Sequence, residues 1–157
     1  MTWILFFFFD SVSITAFFFT GTARPICLAG LENNPADIKQ TAMVSGWGRF
    51  SDTTPGLSRY LRYVDQLDLL SHSQCEEYWG NLNEGVGCFD TTGGRGSCNG
   101  DSGGPLCIFS IEEFHYVQIG IVSMGSSFGC EIGVPAGFTE VAKYSKWISS
   151  ITGLKHF

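Results

Sequence analysis

Residues 98–106 read CNGDSGGPL, and this stretch sets the reading of the whole chain. Ser102 stands between Asp101 and Gly103, behind Cys98 and Gly100, where glycine permits a sharp bend that other residues resist. A loop bent in that way turns the Gly100 and Ser102 N–H groups towards one point, the arrangement that stabilises an oxyanion. Each such donor is worth about 3 kcal/mol in the transition state. Gly103 and Gly104 leave room for a substrate carbonyl. Asp101, in the same loop, needs a cationic partner. A serine hydroxyl is a weak nucleophile alone and requires a base, usually a histidine held by a carboxylate. Serine and glycine are common in plain turns, but GDSGGP bracketed by Cys98 and Cys107 is a far more specific signal.

The 157 residues suffice for one core and are too few for two ordinary domains. Twenty glycines, 44% hydrophobic residues and few stretches of helical periodicity point to a β-rich fold with many turns. A net charge of −6 without a basic cluster argues against nucleic acid or an anionic membrane surface as partner. Six cysteines lean towards an oxidising, secreted context, and no pair of them has metal-ligand spacing. The sequence implies no metal or other cofactor. It has no Asn-x-Ser/Thr acceptor, so glycosylation is silent on secretion.

Residues 1–23 form a segment apart, with seven of the fourteen phenylalanines and a single charge, Asp10. Its apolar run from Trp3 to Phe9, followed by Gly21 and Ala23, admits a signal peptide. The absence of Lys or Arg near Met1 and the break at Asp10 oppose that reading. The alternation Val12-Ser13-Ile14-Thr15 admits a half-buried strand instead. The run is too broken for a membrane span.

From residue 24 to 157 the pattern is one all-β unit. AMVSGWG (42–48) ends a strand in a turn, and in YLRYVDQLDLL (60–70) Leu61, Tyr63, Leu67 and Leu69 share a face. PLCIFS and FHYVQIGIVSMG form a hairpin around Glu112 and Glu113. Ser71 and Gln74 have capping-box spacing and open a short helix. Val141, Tyr144, Ile148 and Ile151 fall on one face of a terminal helix that Gly153 caps. The expectation is a β-barrel closed by that helix.

Together, RPICL, VSGWGR, CFDTTGGRGSCNGDSGGPL, GIVSMGSSFGC and PAGFTEVAKYSKWI, in this order and spacing, resemble the C-terminal half of a chymotrypsin/trypsin-family serine protease. DTTGG and GSSFGC resemble the chymotrypsin-like and collagenolytic enzymes of arthropods. The resemblance covers residues 24–154. It implies the second six-stranded antiparallel barrel of that fold, a secreted serine endopeptidase acting on protein or peptide substrates, and a complementary N-terminal barrel. It implies Ser102 as nucleophile, Gly100 and Ser102 N–H as oxyanion hole, and Asp101 as the carboxylate that pairs with a new N-terminus after zymogen cleavage. Gly96, Ser97, Ser123, Met124, Gly125 and Ala136 would line the specificity pocket. Without charge at Gly96 or Ala136, that pocket would favour Phe, Tyr or Leu over Lys or Arg. Cys75 would pair with Cys88 and Cys98 with Cys130, leaving Cys27 and Cys107 without their family partners.

The family's catalytic histidine and aspartate come from its first barrel, and no matching stretch occurs in this sequence. His72, His115 and His156 stand in other contexts, and Asp10 is at best a displaced stand-in for the aspartate. An activation site such as IVGG is also absent. A cysteine usual before GWG is replaced near Ala42, and Met124 stands where tryptophan is common. Two readings follow: an incomplete copy of an endopeptidase, or an inactive homologue that binds without cutting.

Overall fold

The computed structural model describes residues 3–8, 11–16, 25–30, 41–112 and 114–154. Asp10, Gly21, Ala23, Glu113 and His156 lie outside the described residues. Strands β1 (Trp3–Phe8) and β2 (Ser11–Ala16) pair antiparallel as a separate two-stranded sheet, with Trp3 opposite Ala16 and Phe8 opposite Ser11. Residues 12–15, with their alternating pattern, fall within β2.

The second sheet carries β3 (Cys27–Leu28), β4 (Ala42–Gly46), β5 (Arg62–Leu67), β6 (Leu69–Leu70), β7 (Val86–Phe89), β8 (Pro105–Ser110), β9 (His115–Met124) and β10 (Ala136–Glu140). Its strands run in the order β5-β4-β8-β9-β10-β7-β6. The two end strands are separated by Asp68 alone, so a single bent strand, β5 with β6, closes the sheet on itself. Taken as one, they reduce the seven strands of that path to the six of the expected barrel. Only β3 departs from the antiparallel pattern. It lies parallel to β9 at Val117 and Gln118, just before the stretch where β10 takes over.

The bend has a local cause. Gln66 has φ 55, and the pairing of β4 with β5 slips between Ala42 and Val44. An extra residue at such a bulge breaks the two-residue alternation. Val64 and Leu67 therefore both meet the core, while Tyr63 is 70% exposed and Leu61 is also exposed. This corrects the single face expected for Leu61, Tyr63, Leu67 and Leu69.

The barrel interior is filled by Val44, Leu67, Phe89, Leu106, Ile108, Ile119, Val122 and Phe138. Burying each such side chain contributes about 1.5–3 kcal/mol. Helix α1 (His72–Trp79) begins with the full capping box: Ser71 accepts from the Gln74 N–H and the Gln74 side chain accepts in return. At the C-terminus a 3₁₀ turn (Val141–Tyr144) leads into α2 (Ser145–Thr152), capped by Gly153 at φ 73. Val141 and Ile148 are buried, whereas Tyr144 and Ile151 are exposed, because the tighter turn rotates the two halves of the expected stripe apart. Among the described residues no helix is long and apolar enough to cross a membrane.

Candidate active site

Ser102 sits in a turn stitched to β9. The Gly103 N–H donates to the Val122 carbonyl at 2.8 Å, and the Val122 N–H donates back to Gly104 at 2.9 Å. Within the turn, Asp101 N–H donates to the Cys98 carbonyl and Gly104 N–H to the Asp101 carbonyl, both at 2.9 Å. Gly100 has φ 98 and Gly103 φ 80, conformations that side-chain-bearing residues rarely adopt. Ser102 is exposed. Among the described residues its hydroxyl makes no hydrogen bond, and neither do the N–H groups of Gly100 and Ser102.

Among the described residues no cation pairs with the Asp101 carboxylate: Oδ1 accepts the Gly48 N–H at 2.8 Å and Oδ2 the Cys98 N–H at 2.9 Å. Two backbone donors satisfy a carboxylate as an ammonium would. The fit is tight, since a Cβ added to Gly46 would collide with its carboxylate and one added to Gly48 would lie 2.5 Å from it. Side chains at 46 and 48 would collide with Asp101 where it stands.

Beside Ser102 opens a cavity of about 80 Å³. Ser97, Ser123, Met124, Gly125 and Ala136 line it together with Ser102. Gly96 does not. It lines a neighbouring cavity with Asp101, and an added Cβ there would press on Thr91 at 2.9 Å and Phe89 at 3.4 Å. The wall of the Ser102 cavity includes Thr91, buried, with its hydroxyl donated to the Val134 carbonyl at 2.8 Å. Thr91, Asn99, Ser126, Gly129 and Val134 are lining residues that sequence reasoning missed. DTTGG contains Thr91, but no local signal aims its side chain.

The rim is cross-linked. Disulfides join Cys98 to Cys130 and Cys75 to Cys88, the first within the cavity wall. Asp52 accepts the Cys130 N–H at 2.8 Å and the Glu131 N–H at 2.9 Å. These bonds hold its carboxyl below the ordinary value of 3.8. Glu131 turns away from the cavity, accepting the Asp52 N–H at 2.6 Å and the Ser51 hydroxyl at 3.3 Å. No acidic side chain lines the cavity. Asp52, Cys98 and Cys130 cluster closely enough for a metal, but both sulfurs are committed to the disulfide.

Neither His72 nor His115 lines the cavity. His72 opens α1 and meets Glu76 at 3.4 Å, while His115 opens β9 opposite Ser110. Cys27 is a free, exposed thiol. Cys107 is free and buried, and burial pushes its thiol up to about 11, so it is protonated and unreactive at neutral pH.

The sequence pattern of the family described as Trypsin matches residues 15–148. Brachyurin from Leptuca pugilator is 38% identical over 129 residues, 82% of this chain and 54% of that protein. A collagenase from Hypoderma lineatum is 36% identical over 139 residues, 87% of this chain and 50% of that protein. The solved structure titled HL collagenase superposes with a TM-score of 0.74 at 34% identity, covering 92% of this chain and 60% of the other. The chain thus spans about half the length of the curated relatives it matches. With the family pattern along most of its length and these relatives beside it, the chain belongs to the trypsin family, on its arthropod chymotrypsin-like side.

Proposed function

We propose that this chain is the nucleophile-bearing half of a secreted serine endopeptidase. What carries the reading is the exposed Ser102 hydroxyl at the mouth of an uncharged cavity, with the N–H groups of Gly100 and Ser102 uncommitted beside it. Ser102 Oγ attacks the scissile carbonyl of a protein substrate, its proton passing to a base. The tetrahedral oxyanion is met by the two N–H groups. The C–N bond then breaks, the amine leaves with that proton, and water hydrolyses the Ser102 ester by the reverse route. The base and its carboxylate orienter come from a complementary barrel, since neither His72 nor His115 lines the cavity. Asp101 is the carboxylate that receives a new N-terminal ammonium in the active form, displacing its backbone donors. The two disulfides fit an oxidising, extracellular setting.

The pocket favours Phe, Tyr or Leu. Glu131 is engaged with Ser51 and Asp52, so a buried Lys or Arg finds no counter-charge and loses its hydration. The second reading, an inactive homologue that binds peptides through this pocket, is favoured by the same observation, that among the described residues neither His72 nor His115 lines the cavity.

A fluorophosphonate probe separates the two. The chain alone is expected to label negligibly, because losing the base costs on the order of a millionfold in turnover in a well-studied protease. A chimera supplied with a complementary first barrel is expected to label at Ser102 and to cleave after Phe faster than after Arg. Rapid labelling of the chain alone refutes the two-barrel reading. A correctly folded chimera that stays unlabelled favours the inactive homologue, and a higher kcat/KM for Arg refutes the uncharged pocket.

A further inference from the structure

The segment that follows β4 touches the cavity wall at two places. The Arg49 N–H donates to the carbonyl of Asn99, which lines the cavity, at 2.9 Å. Three residues later Asp52 accepts the N–H groups of Cys130 and Glu131. The segment is itself braced: Arg49 Nη2 donates to the carbonyls of Ser51 at 3.3 Å and Asp52 at 3.0 Å. Glu131 returns the contact through the Asp52 N–H and the Ser51 hydroxyl. Gly129, another wall residue, lies so close that an added Cβ would be 2.5 Å from Asp52 Oδ2.

The Cys98–Cys130 disulfide fixes how far apart the two walls stand, but it leaves the peptide planes around Cys130 free to turn. Two N–H bonds to one carboxylate fix those planes. We propose that Asp52 is a positioning residue for the substrate pocket, holding Gly129–Glu131 in the shape that admits a substrate side chain. The proposal rests on the reading of the Ser102 cavity as that pocket. Asp52 does not line the cavity itself.

The test uses the chain itself with Asp52→Ala and Asp52→Asn, amide hydrogen exchange by NMR, and p-cresol as a probe for the pocket. Asp52→Ala is expected to speed exchange at Cys130 and Glu131 roughly tenfold or more, the loss of a charge-assisted hydrogen bond at each. Exchange at Gly103 and Val122, which are bonded on the Ser102 side, is expected to stay unchanged. The affinity for p-cresol is expected to fall about fivefold or more, a loss comparable to one such bond. Asp52→Asn keeps one carbonyl acceptor and is expected to lie between. Unchanged exchange at Cys130 and Glu131, equal acceleration at Gly103 and Val122, or unaltered p-cresol affinity would each overturn the positioning role. Failure of the unsubstituted chain to bind p-cresol at millimolar concentration would overturn the pocket reading, and the role with it.

Discussion

Asp101 and Asp52 perform the same chemistry at two parts of the Ser102 site, and their surroundings differ. Each carboxylate accepts two backbone N–H groups. Asp101 takes one from Cys98, three residues away, and one from Gly48, with glycines pressed against its oxygens. Asp52 takes both from 78 and 79 residues away, half-buried as Asp101 is, with Gly129 against one of its oxygens. Asp101 braces its own turn, with Gly46 and Gly48 packed against it. Asp52 joins two loops that are distant in sequence. The Ser102 turn is therefore held by its own packing, and the cavity rim by a contact from a distant loop.

The bond that ties the two regions together gives the largest expected effect. Cys98 precedes Asp101 and Cys130 precedes Glu131, so replacing both with serine frees turn and rim at once. For a separation of 32 residues the loop-entropy estimate is about 3–4 kcal/mol. Urea unfolding under non-reducing conditions reads it. A loss below 1 kcal/mol would mean that the carboxylate contacts alone hold the two regions.

Gly48→Ala probes the Asp101 side, where a methyl would sit 2.5 Å from the carboxylate. Overpacking of that kind costs about 1–3 kcal/mol. Urea unfolding of the chain alone reads the effect, since there the Gly48 N–H holds Asp101. Unchanged stability would show that Asp101 has room to move and would erase the contrast with Asp52.

The smallest effect is a titration. The Asp52 carboxyl is lowered by its bonds from Cys130 and Glu131. A lowered carboxyl supplies its stabilisation fully above the ordinary value of 3.8 and loses it as pH falls through the folded value. The Cys130 and Glu131 amide shifts should therefore stay constant from pH 8 to about 5 and move only below that value. A midpoint above 3.8 would contradict the latch as described.

How much of this is legible in the sequence depends on the range of each contact. The β8–β9 hairpin, the Ser71–Gln74 capping box and the Gly153 cap are local, and each rests on residues a few positions apart. The Ser102 turn is legible for the same reason: its glycines, its aspartate and its cysteine are contiguous. The faces of β5 were misread because one left-handed residue, Gln66, inverts the alternation and leaves no mark in the pattern. That Thr91 lines the cavity was not legible, because its place in the wall depends on the Val134 carbonyl 43 residues away.

The sequence by itself determined the family and the barrel with its terminal helix. Motif order and spacing encode these, and short-range conformational preferences enforce them. Only the tertiary structure decided that Asp101 is satisfied by backbone donors, that Glu131 turns away from the cavity, and that Asp52 holds the rim. Those contacts join segments from 53 to 79 residues apart, except for the Cys98 N–H. An Asp in a polar loop carries no sign of its acceptors' targets until the barrel closes and brings the segment after β4 against the loop that follows β9.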